Sequence, residues 1–337
     1  MTAKYIQKMA AFAVGILVLL IVFDNIFNGV RLYRNGYVSN RDIPQAQIDA
    51  EKPGQVDVLC VGNSLGFCSV ASMDLYRNYG ITSYNLSTAM QVPVETYFVI
   101  RDAVKEQPVK VILWEANGLT KPCDALEFAG SRLSEEIKFI HPFTRYHYAW
   151  NNAVSGKKMR PYFKGFVINE AVEPYTGGEY FDLSDTSAIE AVNSVQHYYF
   201  DKIKKLCGER GIKLVLFCNP SPVCYDAPTV NGIRKFSQDA GVDFLDGNSE
   251  IEKIGIDWKT DTYDEGDHLN LSGSRKMTEF LAQYLKRECD LEDHRQDPGY
   301  QAWDDLLKAY DEEVRRMKGT SYPILEEEQK QEKMRQK

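Results

Sequence analysis

An alternation of short, unbroken apolar runs with helix-like segments constrains this chain most. "VDVLCV" at 56–61, "TSYNL" at 82–86, "VKVILWE" at 109–115, "IKLVLFCN" at 212–219 and "VDFLD" at 242–246 read as strands. Helical patterns separate them. "SMDLYRNYG" at 72–80 reads as a short helix with Ser72 as N-cap and Gly80 as stop. The run 94–107 places Tyr97, Ile100, Ala103 and Val104 on one face. Residues 188–211 read as a long amphipathic helix ending at Gly211, 231–241 as another helix, and 271–289 as the last core helix. Strands that are apolar along their whole length are buried on both faces. The pattern therefore predicts an α/β chain with a doubly wound, flavodoxin-like parallel sheet. Such sheets bind ligands at the carboxyl ends of their strands.

The N-terminus follows different rules. Lys4 and Lys8 precede an uncharged, mostly apolar run of 15 residues from Met9 to Phe23. Extended back to Tyr5 or forward to Val30, the run reaches the roughly 20 residues that span a bilayer. A cleaved signal would share the basic start. Bulky Ile21, Val22 and Phe23 stand where a small-residue cleavage site would fall, which favours an uncleaved anchor over a signal or a buried helix. The two lysines predict a cytoplasmic N-terminus. The expected location is then the cell membrane, single-pass, with the main domain extracytoplasmic.

The expected organisation is an anchor at 1–30, a polar linker at 31–54, an α/β domain at 55–290, and a helix with a charged tail at 291–337. An insertion at 116–187, rich in aromatics such as Phe139, Phe143, Tyr146 and Trp150, interrupts the domain and is expected to cover the sheet edge and shape a cleft. The net charge of −8 argues against a nucleic-acid partner, which needs a basic surface. The seven cysteines include no C-x-x-C pair. Cys60 and Cys218 read as small apolar residues of strands, and a bridge between Cys218 and Cys224 stays open.

The first strand runs into Gly62-Asn63-Ser64-Leu65-Gly66, a match to the G-x-S-x-G elbow. Alone, that match reads as a turn rather than a nucleophile. A serine hydroxyl needs a base to take its proton. Five histidines are available: His141, His147, His197, His268 and His294. His197 reads as a surface or packing residue of the long helix and His294 as its equivalent in a polar run. His141 and His147 fall in the insertion. His268 differs, because "DTYDEGDHLNLSG" sets it among Asp261, Asp264, Glu265 and Asp267 in a loop before the last core helix. A carboxylate beside a histidine fixes its tautomer and stabilises its charged form. The same acids would suit a hard cation, which a ring nitrogen suits poorly, so neither metal nor cofactor is expected.

A serine after the first strand, with an acid and a histidine together on a late loop, resembles the SGNH (GDSL-like) hydrolase superfamily. The apolar N-terminus, "VGNS", "HPFTRYHYAW" and "DHLNLSG" resemble its cell-envelope branch of DltD-like and AlgX-like proteins. The α/β-hydrolases, the rival for G-x-S-x-G, place several strands before the elbow and keep acid and histidine on separate loops. The resemblance implies Ser64 as nucleophile and His268 as base. The family acid lies three residues before the histidine, at Glu265 here. Asp264, one further back, is preferred because "YDEGDH" permits a bend at Gly266. The oxyanion donors would be the Ser64 N–H, a position in "YNLSTAM" where Ser87 stands instead of glycine, and Asn117 in "WEANG".

The resulting expectation is a membrane-anchored serine esterase or O-acyltransferase, with water or a sugar hydroxyl as acceptor. Its implied partners are an acylated cell-envelope glycan or teichoic acid, and acyl-transfer proteins. The alternatives are an inactive binding or assembly module of the same fold, and a lipid esterase whose aromatic insertion forms an acyl tunnel.

Overall fold

The computed structural model describes residues 3–36, 38, 41–121, 124–140, 142–146, 149, 162–178 and 187–318. Five parallel strands form one sheet in the order β2-β1-β3-β4-β5. They are β1 (Val58–Val61), β2 (Ser83–Asn85), β3 (Val111–Glu115), β4 (Lys213–Cys218) and β5 (Asp243–Asp246). Leu59 pairs with Tyr84 on one side and Ile112 on the other, and Ile112 pairs with Leu214. This is the flavodoxin-like order expected from the alternation.

Side chains of a strand alternate between the two faces of its sheet, and each face here has its own core. Leu59, Val61, Ile112, Trp114, Leu214 and Leu216 pack under the helices Pro93–Glu106, Ser194–Arg210 and Ala227–Ala240. Val58, Cys60, Val111, Leu113, Val215 and Phe217 pack under Ser72–Tyr79 and Leu271–Glu288. Burial on both faces explains why the strands carry no polar alternation.

Several helix ends differ from the sequence reading. Ser72 is the first helical residue, and Ala71 occupies the cap position without a side-chain bond. The 188–211 segment becomes helical only at Ser194, where the Asn193 carboxamide accepts from Val195 N–H at 2.9 Å. The 231–241 helix starts earlier, at Ala227, behind Asp226, whose carboxylate accepts from Thr229 N–H at 2.9 Å. In both helices a side chain that satisfies an orphan N–H set the start, rather than the apolar period.

Ala3–Ile26 forms one exposed helix of 24 residues, long and apolar enough to cross a membrane. The insertion contributes the helices Ala125–Lys138 and Pro142–Tyr146 and a tight turn at Phe163–Phe166. That turn seats on the end of β2, where Asn85 N–H donates to Lys164 O at 2.9 Å. Gly165 has φ +81°, and a Cβ there would lie 1.7 Å from Asn85 O. The C-terminal helix Gln301–Met317 buries Trp303, Tyr310 and Met317 in the first core. His141, His147, Cys123, Tyr148, Trp150, Tyr180, Phe181 and the tail from 319 lie outside the described residues.

Candidate active site

β1 ends at Val61, and Gly62 turns the chain with φ +141°. A Cβ on Gly62 would lie 2.7 Å from Glu115 Cβ, so only glycine fits between the ends of β1 and β3. Asn63 caps the short helix Ser64–Phe67, its Oδ1 accepting from Leu65 N–H at 3.0 Å. Ser64 is the first residue of that helix and half-buried. Strand, glycine turn, cap and helix together place Ser64 at the carboxyl edge of the sheet, just beyond β1.

His268 stands on a loop pinched by the Thr262–Leu269 bridge. Inside it, Glu265 and Gly266 both adopt positive φ, +58° and +93°. The bend returns the chain on itself. Asp264 Oδ2 lies 2.7 Å from His268 Nδ1, and Asp264 Oδ1 accepts from His268 N–H at 2.7 Å. A carboxylate only accepts, so Nδ1 carries a proton toward Asp264. Glu265 is exposed, and its N–H donates to Glu173 O at 3.0 Å. The Tyr263 ring stacks on the imidazole, 5.7 Å between centroids and 10° between planes. Asp264, Asp267 and His268 hold their oxygen and nitrogen atoms within 4.8 Å of one another, so the same three could also ligate a divalent ion.

Two bridges join the serine turn to the histidine loop. In the first, Asn63 Nδ2 donates to Asn117 Oδ1 at 2.9 Å and Asn117 Nδ2 to Cys224 O at 3.0 Å. Cys224 Sγ then lies 2.9 Å from Asp267 Oδ1, next to His268. In the second, Cys68 Sγ lies 3.4 Å from Tyr263 OH, whose ring covers the imidazole. Ser274, on the helix after the histidine, donates to Cys68 O.

The remaining sequence-derived residues are placed differently. Asn117 is buried, with its amide against Asn63. Ser87 is buried beneath the turn, its N–H donating to Asn85 Oδ1 at 3.0 Å and its hydroxyl 3.8 Å from Cys60 Sγ. That commits the Ser87 N–H elsewhere. His197 is exposed beside Asp201, and His294 is buried against Asp57 at 2.6 Å. Cys218 and Cys224 are both free thiols, so the bridge left open by the sequence is not formed.

Glu115 belongs to the same edge and escaped the sequence reading. It closes β3, fully buried, and accepts from Tyr225 OH and from Asn117 N–H. Burial pushes its carboxyl up to about 7, although the hydrogen bonds from Tyr225, Asn117 and Asn219 oppose the rise. A lone carboxylate closing the all-apolar run "VILW" was the available signal.

No family model matches the sequence, and no curated protein matches it. The chain is similar to a solved structure from Bacteroides fragilis NCTC 9343, described as an acylhydrolase, at 15% identity. That match covers 72% of this chain and 93% of the other, with a TM-score of 0.38. It is also similar to one from Agrobacterium tumefaciens str. C58, described as an arylesterase, at 10% identity. Here the coverage is 69% and 99%, with a TM-score of 0.34. Both likenesses are distant, and the chemistry below rests on this chain's own residues.

Proposed function

We propose that the chain is a membrane-anchored SGNH-type serine esterase or O-acyltransferase that acts on small acyl esters of a cell-envelope polysaccharide or teichoic acid. The observation that carries the reading is the 2.7 Å pair of Asp264 with His268 Nδ1, on a loop bonded through Asn117 and Cys224 to the turn that presents Ser64. In this reading Ser64 Oγ attacks the acyl carbonyl carbon while its proton passes to His268 Nε2. Asp264 holds the imidazolium that forms. The C–O bond to the leaving alcohol breaks, and that oxygen takes the proton back. Water or an acceptor hydroxyl then attacks the acyl-enzyme, gives its proton to His268 and releases Ser64. The anchor supports a substrate at the membrane surface.

A fluorophosphonate probe, which captures an activated serine covalently, tests the assignment on the full chain. We expect one labelled peptide containing Ser64 and complete loss of labelling in Ser64→Ala. Labelling that persists in Ser64→Ala sinks the nucleophile. A folded wild-type chain that never labels would point to the binding-module alternative.

A further inference from the structure

The Ala125–Lys138 helix exposes its apolar face and buries charge. Leu126, Leu133, Ile137 and, just past the helix end, Ile140 recur at helical spacing and share one side. They are 85%, 60%, 44% and 65% exposed. The opposite side is turned inward. Glu135 is 6% exposed and paired with Lys138, while Phe139 stacks on Phe98 at 5.2 Å. This is the reverse of a helix packed on a soluble domain, and a contiguous apolar face left exposed marks an interaction surface.

The occupant follows from where the face lies. Phe143, three residues beyond Ile140, has its ring 5.1 Å from Phe23 and 5.2 Å from Phe27. Phe23 lies in the last turn of the N-terminal apolar helix. Three residues of chain reach at most about 11 Å, and a helix of this length extends about 21 Å. The stripe thus begins within about 11 Å of the end of the N-terminal helix. Arg31 and Arg34, both exposed, lie on the short helix Gly29–Arg34 that follows that end. An exposed apolar stripe that begins within reach of the end of an apolar N-terminal helix has the chemistry of an interfacial helix.

We propose that the Leu126, Leu133, Ile137 and Ile140 face, continued by Phe143, rests in the interface of the bilayer that holds the N-terminal helix, as a second, in-plane contact with lipid. The proposal rests on the membrane reading of that helix and extends it. One spanning helix leaves the domain free to swing, whereas two contacts fix its tilt. Ala125 follows Asn117 by eight residues, so the second contact fixes height close to the carboxyl edge of the sheet. The edge that carries Ser64 is then held at a constant distance from the lipid surface, as an acyl acceptor or donor tethered in that surface requires.

Photo-crosslinking of the full chain in phosphatidylcholine–phosphatidylglycerol liposomes tests this. A diazirine-bearing residue is placed at position 133, 137, 19 or 283 in turn. Leu19 lies in the N-terminal helix, and Gln283 is exposed on the helix Leu271–Glu288. The expected result is lipid adducts from 19, 133 and 137 and none from 283. Lipid adducts at 19 with 133 and 137 as blank as 283 would overturn the proposal and leave the anchor intact. Adducts to a second protein chain at 133 or 137 would overturn it in favour of a protein interface. Absence of adducts at all four positions would remove the anchor and the second contact together.

Discussion

Asp264 and Glu265 are neighbouring carboxylates with opposite surroundings. Asp264 faces the imidazole and backbone of His268, while Glu265 sits exposed on the left-handed bend that makes this possible. In the proposed site Asp264→Asn loses the acceptor that fixes the tautomer. Its turnover of a small acyl ester is expected to fall on the order of 10³–10⁴-fold. Glu265→Gln should stay near wild type, and equal losses in the two would remove Asp264 from its role. Glu115 makes a different prediction. Its carboxyl titrates near 7 in the fold against 4.5 when exposed, so the native state holds the proton more tightly. Its contribution is fully present below about pH 4.5 and is lost as pH rises towards 7, about 3 kcal/mol in all. Urea unfolding of Glu115→Gln should therefore show a smaller fall in stability between about pH 5 and 8 than the parent chain. An unchanged fall would mean that Glu115 is not the group responsible. Of these residues, Ser64, His268 and Asp264 stood out in the sequence because each lies in a short motif with a chemical logic. Glu115, Tyr225 and Cys224 did not, because what makes them part of the edge is contact between segments some 110 residues apart.

At the scale of elements, the sheet was legible because a strand buried on both faces needs a continuous apolar run, and each of the five runs became a strand. Helix starts were less so, since caps such as Asn193 and Asp226 act one side chain at a time. The insertion was least legible. Its turn is held by Gly165 against Asn85, a contact that no local period encodes. The element that matters most for the site is the turn between β1 and the Ser64 helix. Gly62→Ala puts a Cβ into Glu115 and forces a side chain into a glycine backbone region. We expect a loss of about 1–3 kcal/mol in urea unfolding, with slower probe labelling of Ser64 as the turn shifts. A variant as stable and as reactive as the parent would show that the two strand ends can separate freely.

At the scale of the molecule, segments far apart in sequence meet on one buried lysine. Lys164 lies in the Phe163–Phe166 turn, with its ammonium 2.7 Å from Glu51, just past the buried helix Ile43–Ile48, and 4.1 Å above the ring of Trp303 of the C-terminal helix. Desolvation lowers the lysine pKa, and Glu51 opposes that. Removing only the partner is the damaging change, because it leaves a buried charge uncompensated. Glu51→Gln is expected to cost about 3–5 kcal/mol. Replacing both, Glu51→Gln with Lys164→Met, removes the buried charge while a flexible apolar chain still packs on Trp303. The double variant should recover much of that loss despite carrying the more drastic change in composition. Chemical denaturation of the two single variants and the double one closes the cycle. Additive losses would mean that Glu51 and Lys164 contribute independently. A recovery would show that Glu51 and Lys164 are coupled through the buried charge.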